Sequence, residues 1–273
     1  WKNKLKNIFS RIVVILALLA LSSSYVLADN IIIQSSTSLK NSGFYRYLTP
    51  ILKQYTGIDI GVVAVGTGQA IKNMKNCDGD VLITHAKEAE LEFLKSGFGL
   101  ERFEFMYNHW VVIGPEEAKK ENRFDSNEMR EILKKIYEQK EKFISRGDNS
   151  GTHMKELSIW KNLALKPEDF TETWYLETGS GQGATLMVAS EVGAFTITDT
   201  ATWYAFNKKR DLKIIGRDNS NLNTYSITTI NPRKCKHVKS SAVEKIVEFL
   251  KSTIGKNTIS NFRLNNSNVF FPI

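Results

Sequence analysis

The run Asn30-Ile31-Ile32-Ile33-Gln34-Ser35-Ser36-Thr37-Ser38 is a short β-branched strand that empties into four consecutive hydroxyl side chains. Isoleucine in series suits a pleated, buried strand. Asn41-Ser42-Gly43 breaks the chain, and Phe44, Tyr47, Leu48, Ile51, Leu52 and Tyr55 then recur at the spacing of one helix face. Gly57 stands where a helix would end. Residues 58–65 read as a second strand, and Gly66-Thr67-Gly68-Gln69-Ala70 opens a second helix. Residues 80–84 are a third strand, followed by a helix over 87–95 closed by Gly97. Three rounds of strand, turn and helix predict a parallel sheet with helices on its faces, an α/β fold.

Outward from there the pattern repeats. An extended stretch at 103–113 ends at Gly114-Pro115, and a charged helix is expected over 127–142. A strand at 143–145 leads into Arg146-Gly147-Asp148-Asn149-Ser150-Gly151-Thr152-His153 and a helix to about 163. A strand at 173–177 precedes Gly179-Ser180-Gly181-Gln182-Gly183-Ala184-Thr185, which enters a helix to about 191; a strand at 194–198 follows. A second extended stretch at 223–231 stops at Pro232, and a last helix covers 242–250. The two extended stretches bracket a middle block with its own strand and helix pattern. The expectation is two lobes joined by two crossing strands, with lobe 1 at 29–110 and 226–273 and lobe 2 at 111–225. A ligand between them would meet helix N-termini beyond the strand ends.

Composition excludes several classes. At 273 residues, 42% hydrophobic and 24% charged, the chain is neither disordered nor fibrous. Two cysteines cannot build a disulfide scaffold or a four-cysteine zinc site. The net charge of +8 invites a nucleic-acid reading, but the N-terminus removes it. Lys2, Lys4, Lys6 and Arg11 precede an unbroken apolar run at 12–21, then Ser22-Ser23-Ser24 and Tyr25-Val26-Leu27-Ala28. This is the layout of a cleavable export signal over 1–28; an uncleaved membrane anchor is the alternative. Without those four basic residues the charge is +4, too small and too scattered for nucleic acid. No later apolar run is long enough for a span, so a soluble periplasmic protein is expected. In that oxidising setting Cys77 and Cys235 either pair or stand apart; a separation of 158 positions gives no proximity, and separate thiols are favoured.

The chemistry gathers in four turns, 35–38, 66–68, 150–152 and 179–185, each between a strand and a helix. Helix N-termini offer unpaired N–H groups and a positive dipole end, Ser and Thr add hydroxyl donors, and Gly admits close approach. Converging, they make an anion site; singly, they are ordinary N-caps. Arg146 ends a strand before a glycine turn and is either a permanent cation aimed into the cleft or a surface partner of Asp148. His85, His109, His153 and His237 lack metal-ligand spacing and read as caps or core residues. No P-loop and no nucleophile elbow is present. Asp148 reads more simply as a cap or as the orienter of Arg146 than as an acid/base partner of Asp199. Trp110, Trp160, Trp174 and Trp203 read as core.

These motifs together resemble one family. Ser36-Thr37-Ser38, Val65-Gly66-Thr67-Gly68-Gln69-Ala70, Met106-Tyr107-Asn108, Ser145-Arg146-Gly147-Asp148-Asn149-Ser150-Gly151-Thr152-His153, Glu177-Thr178-Gly179-Ser180-Gly181-Gln182-Gly183-Ala184-Thr185-Leu186 and Ala189-Ser190-Glu191 look like the tungstate-binding protein of the Tup-type ABC transporter. The resemblance implies a type II periplasmic-binding-protein fold closing on a tetrahedral dianion. It places Thr37, Ser38, Thr67, Gly68, Arg146, Thr152, Ala184 and Thr185 around tungstate. It implies a permease and an ATPase subunit as partners, no cofactor, no enzymatic activity, and a monomer. The sequence departs from the family at Ser35-Ser36, where threonines are usual, at His109, where an acid is frequent, and at Gln182, where methionine is. Molybdate, phosphate and sulfate are the same-class alternatives. An exported phosphatase is the different-class one.

Overall fold

A computed structural model describes residues 30–273 apart from 122, 123, 125, 127, 172 and 220. The expected signal segment lies outside the described residues. The first elements are β1 (Asn30–Ser36), α1 (Thr37–Asn41), α2 (Phe44–Thr56), β2 (Asp59–Val65), α3 (Thr67–Lys75), β3 (Val81–Thr84), α4 (Lys87–Lys95) and β4 (Gly99–Asn108). The chain then crosses into β5 (Trp110–Pro115), α5 (Glu116–Lys120), α6 (Met129–Gln139), β6 (Phe143–Ser145), α7 (Gly151–Asn162), β7 (Tyr175–Glu177), α8 (Gln182–Val192), β8 (Thr196–Asp199), α9 (Thr200–Ala205) and β9 (Leu212–Arg217). It returns through β10 (Asn223–Ile230) to α10 (Ser240–Lys251), α11 (Thr253–Asn261), a small hairpin of β11 (Arg263–Leu264) and β12 (Ser267–Asn268), and β13 (Phe271–Pro272).

The first sheet has the order β13-β4-β10-β3-β1-β2. β1 is parallel to β2 and β3, whereas β10 is antiparallel to β3 and β4. Parallel neighbours need crossover connections, which the helices between them supply. In the second lobe β5 pairs antiparallel with β8 and β9, and β6 pairs parallel with β7. The Ile144 amide donates to the Phe195 carbonyl and the Phe195 amide to the Lys142 carbonyl, both at 2.8 Å. These bonds set β6 beside β8, so the second body reads β7-β6-β8-β5-β9. This repeats β2-β1-β3-β10-β4 of the first, and in each lobe the strand next to the third parallel strand, β5 or β10, is one of the crossing strands.

Each lobe has its own core. α2 turns Phe44, Leu48 and Leu52 onto the first sheet, where Ile31, Ile33, Tyr225 and Ile227 are buried with them. Burying each such side chain contributes about 2 kcal/mol. The second lobe packs Trp110, Phe143, Trp160, Trp174 and Phe195; Trp203 joins a smaller cluster with Val111, Ile113 and Leu186. All four tryptophans expected in the core are therefore buried.

The cysteines correct the sequence reading. Cys77 and Cys235 form a disulfide, with 5.4 Å between their Cα atoms. The reason is topological. β10 runs antiparallel to β3, with Thr229 opposite Val81, so the segment leaving β10 emerges beside the segment entering β3. His237 Nε2 donates to the Cys77 carbonyl across the same junction at 2.6 Å. Among the described residues no helix is long and apolar enough to cross a membrane.

Candidate functional site

The helix starts α3, α7 and α8 follow β2, β6 and β7, and the hydroxyl turn before α2 follows β1, so each candidate turn leaves the end of a strand. Thr37 and Ser38 are the first residues of α1, Thr67 and Gly68 the first of α3, and Gly151 and Thr152 the first of α7. The first amides of a helix have no carbonyl of their own helix to bond. At α8 those positions are Gln182 and Gly183. Ala184 and Thr185 lie one step deeper, their amides donating to the Gly181 carbonyl at 3.0 and 3.1 Å.

Contacts across the gap tie these turns together. A Cβ placed on Gly68 would lie 3.9 Å from the Asn149 carbonyl oxygen, which belongs to the other lobe. A Cβ on Gly151 would lie 3.0 Å from His85 Cε1, so the start of α7 abuts a histidine of the first lobe and needs glycine to do so. His85 is bonded to Ser38 at 3.2 Å through Nε2. On the second-lobe side, Arg146 Nη1 donates to Gln182 Oε1 at 3.3 Å. These contacts set His85, bonded to Ser38, against the start of α7, Gly68 near the turn before it, and Arg146 beside the start of α8. Ala184 is exposed. The Thr185 hydroxyl turns back to its own loop, 3.0 Å from Thr178 Oγ1.

Arg146 combines both sequence alternatives. It is 3% exposed, and its Nη2 donates to Asp148 Oδ2 at 2.5 Å. The turn after it needs Gly147, whose φ is +59° and whose Cβ would meet Glu177 Cβ at 2.8 Å. Asp148 Oδ1 also accepts from the Ser150 amide at 3.2 Å, so one carboxylate orients Arg146 and stiffens the entry to α7. Beneath the turn, Ser145 Oγ donates to Glu156 Oε2 at 2.8 Å, and Glu156 Oε1 accepts from Tyr175 Oη at 2.7 Å and Trp160 Nε1 at 3.1 Å. Burial pushes the Glu156 carboxyl up to about 7, against the pull of those three donors.

Arg146 Nε, Thr67 Oγ1 and His153 Nε2 are buried on these turns without a hydrogen-bond partner. Leaving a buried donor unpaired costs about 1–3 kcal/mol, so each calls for an acceptor. Asp199 is the N-cap of α9, its Oδ1 accepting from the Thr202 amide at 3.0 Å. Among the described residues no group of three His, Cys, Asp or Glu side chains is placed to hold a metal ion. Sequence reading gave His85 only a cap or core role and noted Gln182 only as a departure from the family. Neither has a local signature, because each acquires its partner from an element far along the chain. A cleft of about 570 Å3 continues from His85 and Gly151 toward solvent, lined also by Trp110, Met154, Lys155 and Asn223.

The profile of the PBP superfamily domain matches residues 26–236. The tungstate-binding protein TupA of Peptoclostridium acidaminophilum is 39% identical over 85% of this chain and 81% of its own length. The tungstate-binding protein TupA of Campylobacter jejuni is 37% identical over 85% of this chain and 87% of its own. Among solved structures, the tungstate-binding protein TupA of Desulfovibrio alaskensis G20 superposes with a TM-score of 0.77 at 37% identity, covering 90% of this chain and 99% of that one.

Proposed function

This chain belongs to the TupA family within the PBP superfamily, and we propose from that premise that it is the solute-binding protein of an ABC importer for tungstate. One observation carries the reading: the candidate turns hold a buried arginine and a set of N–H and O–H donors, of which Arg146 Nε and Thr67 Oγ1 lack an acceptor. Tungstate at neutral pH is a proton-free dianion that only accepts hydrogen bonds. Charge-assisted donors hold such a ligand tightly, and helix N-termini add positive potential.

The proposed ligand set is Thr37, Ser38, Thr67, Gly68, Arg146 and Thr152, with the start of α8 contributing its first amides and Ala184 and Thr185 in the wall. Lobe 1 is taken as 29–110 with 226–273 and lobe 2 as 111–225, hinging where the strands cross. The protein acts by binding and release without turnover or cofactor. It works as a monomer in the periplasm, exported by the segment 1–28, and delivers its anion to a permease and its ATPase. Molybdate, nearly the same size, is the expected competitor.

Calorimetric titration with tungstate, molybdate, phosphate and sulfate tests this. One tungstate per chain is expected, with molybdate close behind and the other two weak. A ligand that binds only the folded state raises the melting temperature by mass action. If neither tungstate nor molybdate gives heat or moves the melting curve, the oxyanion reading is lost.

A further inference from the structure

A chain of hydrogen bonds runs from Asp199 to the cleft and dictates where the proton on His85 sits. Asp199 Oδ1 accepts from Asn108 Nδ2 at 2.7 Å. A carboxylate only accepts, so the Asn108 amide is oriented with Oδ1 facing Asn223, whose Nδ2 donates to it at 2.7 Å. Asn223 must then present Oδ1 to His85 Nδ1, 2.7 Å away. A carbonyl oxygen only accepts, so Nδ1 carries a proton. In the neutral ring Nε2 is therefore bare, and the hydrogen available to it is the hydroxyl of Ser38 at 3.2 Å.

That arrangement is wrong for an anion. With its proton spent on His85, Ser38 Oγ has only lone pairs left for its other neighbours, Ser36 Oγ at 3.2 Å and the Tyr225 hydroxyl, and for any ligand. Protonating His85 reverses it. Nε2–H would donate to Ser38 Oγ, the three upstream bonds would stay unchanged, and the Ser38 hydroxyl would turn to the gap as a donor. His153 has no such freedom: its Nδ1 accepts from the Asn149 amide at 3.1 Å, and a proton there would set two donors against each other.

The charges point the same way. Arg146 is matched by Asp148 at 2.5 Å, so much of its charge is already compensated before a dianion arrives between the lobes. Asp199 and Glu90 favour the imidazolium and Arg146 opposes it. Glu90 is itself paired to Arg102 at 2.7 Å. The rings of Tyr225, stacked at 4.7 Å, and Trp110 cover His85, and Gly151 closes it from α7. Lys87, Glu88, Glu104 and Lys155 line the cleft that opens beyond it. In the ligand-free site burial holds the His85 ring below its usual range.

We propose that His85 is the second cation of the anion site: it takes up a proton as the dianion binds and converts Ser38 from an acceptor into a donor. This rests on the oxyanion reading above. Tungstate titrations of the full chain, in two buffers of different ionisation enthalpy between pH 6 and 8.5, count the protons. Uptake approaching about one proton per anion is expected, with affinity falling about tenfold per pH unit over the range where uptake is complete. In His85→Gln the uptake should vanish and the weaker affinity should become independent of pH. Should that variant not fold, the histidine ring resonances of the wild type decide, because only four histidines are present: saturating tungstate should move one to the imidazolium position. Tight binding with no proton uptake, or uptake unchanged in His85→Gln, would overturn the proposal and leave the oxyanion reading standing. Absence of any binding would instead remove that reading.

Discussion

Gln182 holds Arg146 by its carbonyl end: Oε1 accepts from Nη1 at 3.3 Å while Nε2 donates to the Ile197 carbonyl at 2.9 Å. The second bond fixes which end faces the guanidinium, so the cation is aimed by a residue anchored to β8, with Asp148 gripping the other nitrogen. Losing a buried charged partner costs roughly 2–5 kcal/mol, and each 1.4 kcal/mol is about tenfold. Arg146→Ala should weaken tungstate binding by about thirty-fold or more in a titration. Arg146→Lys keeps the charge but cannot serve Gln182 and Asp148 as a planar fork, so it should change the tungstate-to-molybdate ratio more than the fold. Wild-type affinity in Arg146→Ala, with unchanged circular dichroism, would return Arg146 to a structural ion pair.

Thr67→Val separates ligand chemistry from stability. The hydroxyl is buried and has no partner in the free protein, so removing it should leave the ligand-free melting temperature unchanged or higher. If that hydroxyl serves the anion, affinity should drop by about 1–3 kcal/mol, or about five-fold to a hundred-fold. A lower ligand-free melting temperature with unchanged affinity would show that the hydroxyl serves the fold.

Glu156 gives a pH signature of stability. Its carboxyl, ordinarily near 4.5, is pushed up to about 7 by burial, so the folded state holds this proton more tightly than the unfolded chain does. The unfavourable term is absent below pH 4.5, grows between 4.5 and 7, and is constant above, where it amounts to about 3 kcal/mol. Glu156→Gln retains the shape and most of the bonds to Ser145, Trp160 and Tyr175. Denaturation curves at several pH values should show the variant gaining on the wild type as pH rises through that window. Parallel curves would mean that the buried carboxylate is fully compensated by its three donors.

The disulfide closes a loop of 158 residues that contains the whole second lobe. Removing such a link typically costs about 2–4 kcal/mol, mainly by freeing the unfolded chain. Cys77→Ser with Cys235→Ser should lower the melting temperature while leaving tungstate affinity near wild type, since the pair joins the segment after α3 to the segment after β10 and includes none of the proposed ligand residues. Affinity falling in step with stability would mean that the link also sets the position of α3, and with it Thr67.

What the sequence by itself determined was local. Strand, turn and helix succession, the buried faces of α2 and β1, and the small polar residues at the helix starts all follow from interactions within a few residues, because capping and amphipathic periodicity are short-range. The Arg146 turn was legible for the same reason. Tertiary structure alone decided the rest. Cys77 meets Cys235 because β10 is antiparallel to β3, and His85 is tied to Asp199 because Asn108 and Asn223 sit opposite each other at the crossing between lobes. α9, β9, α11 and β13 had no clear pattern of their own; the two-residue β13 exists only by pairing with Tyr107 and Met106. Donor and acceptor roles at Ser38 likewise depend on a relay of four residues, His85, Asn223, Asn108 and Asp199, that lie 47 to 185 positions away along the chain, and no local rule carries that information.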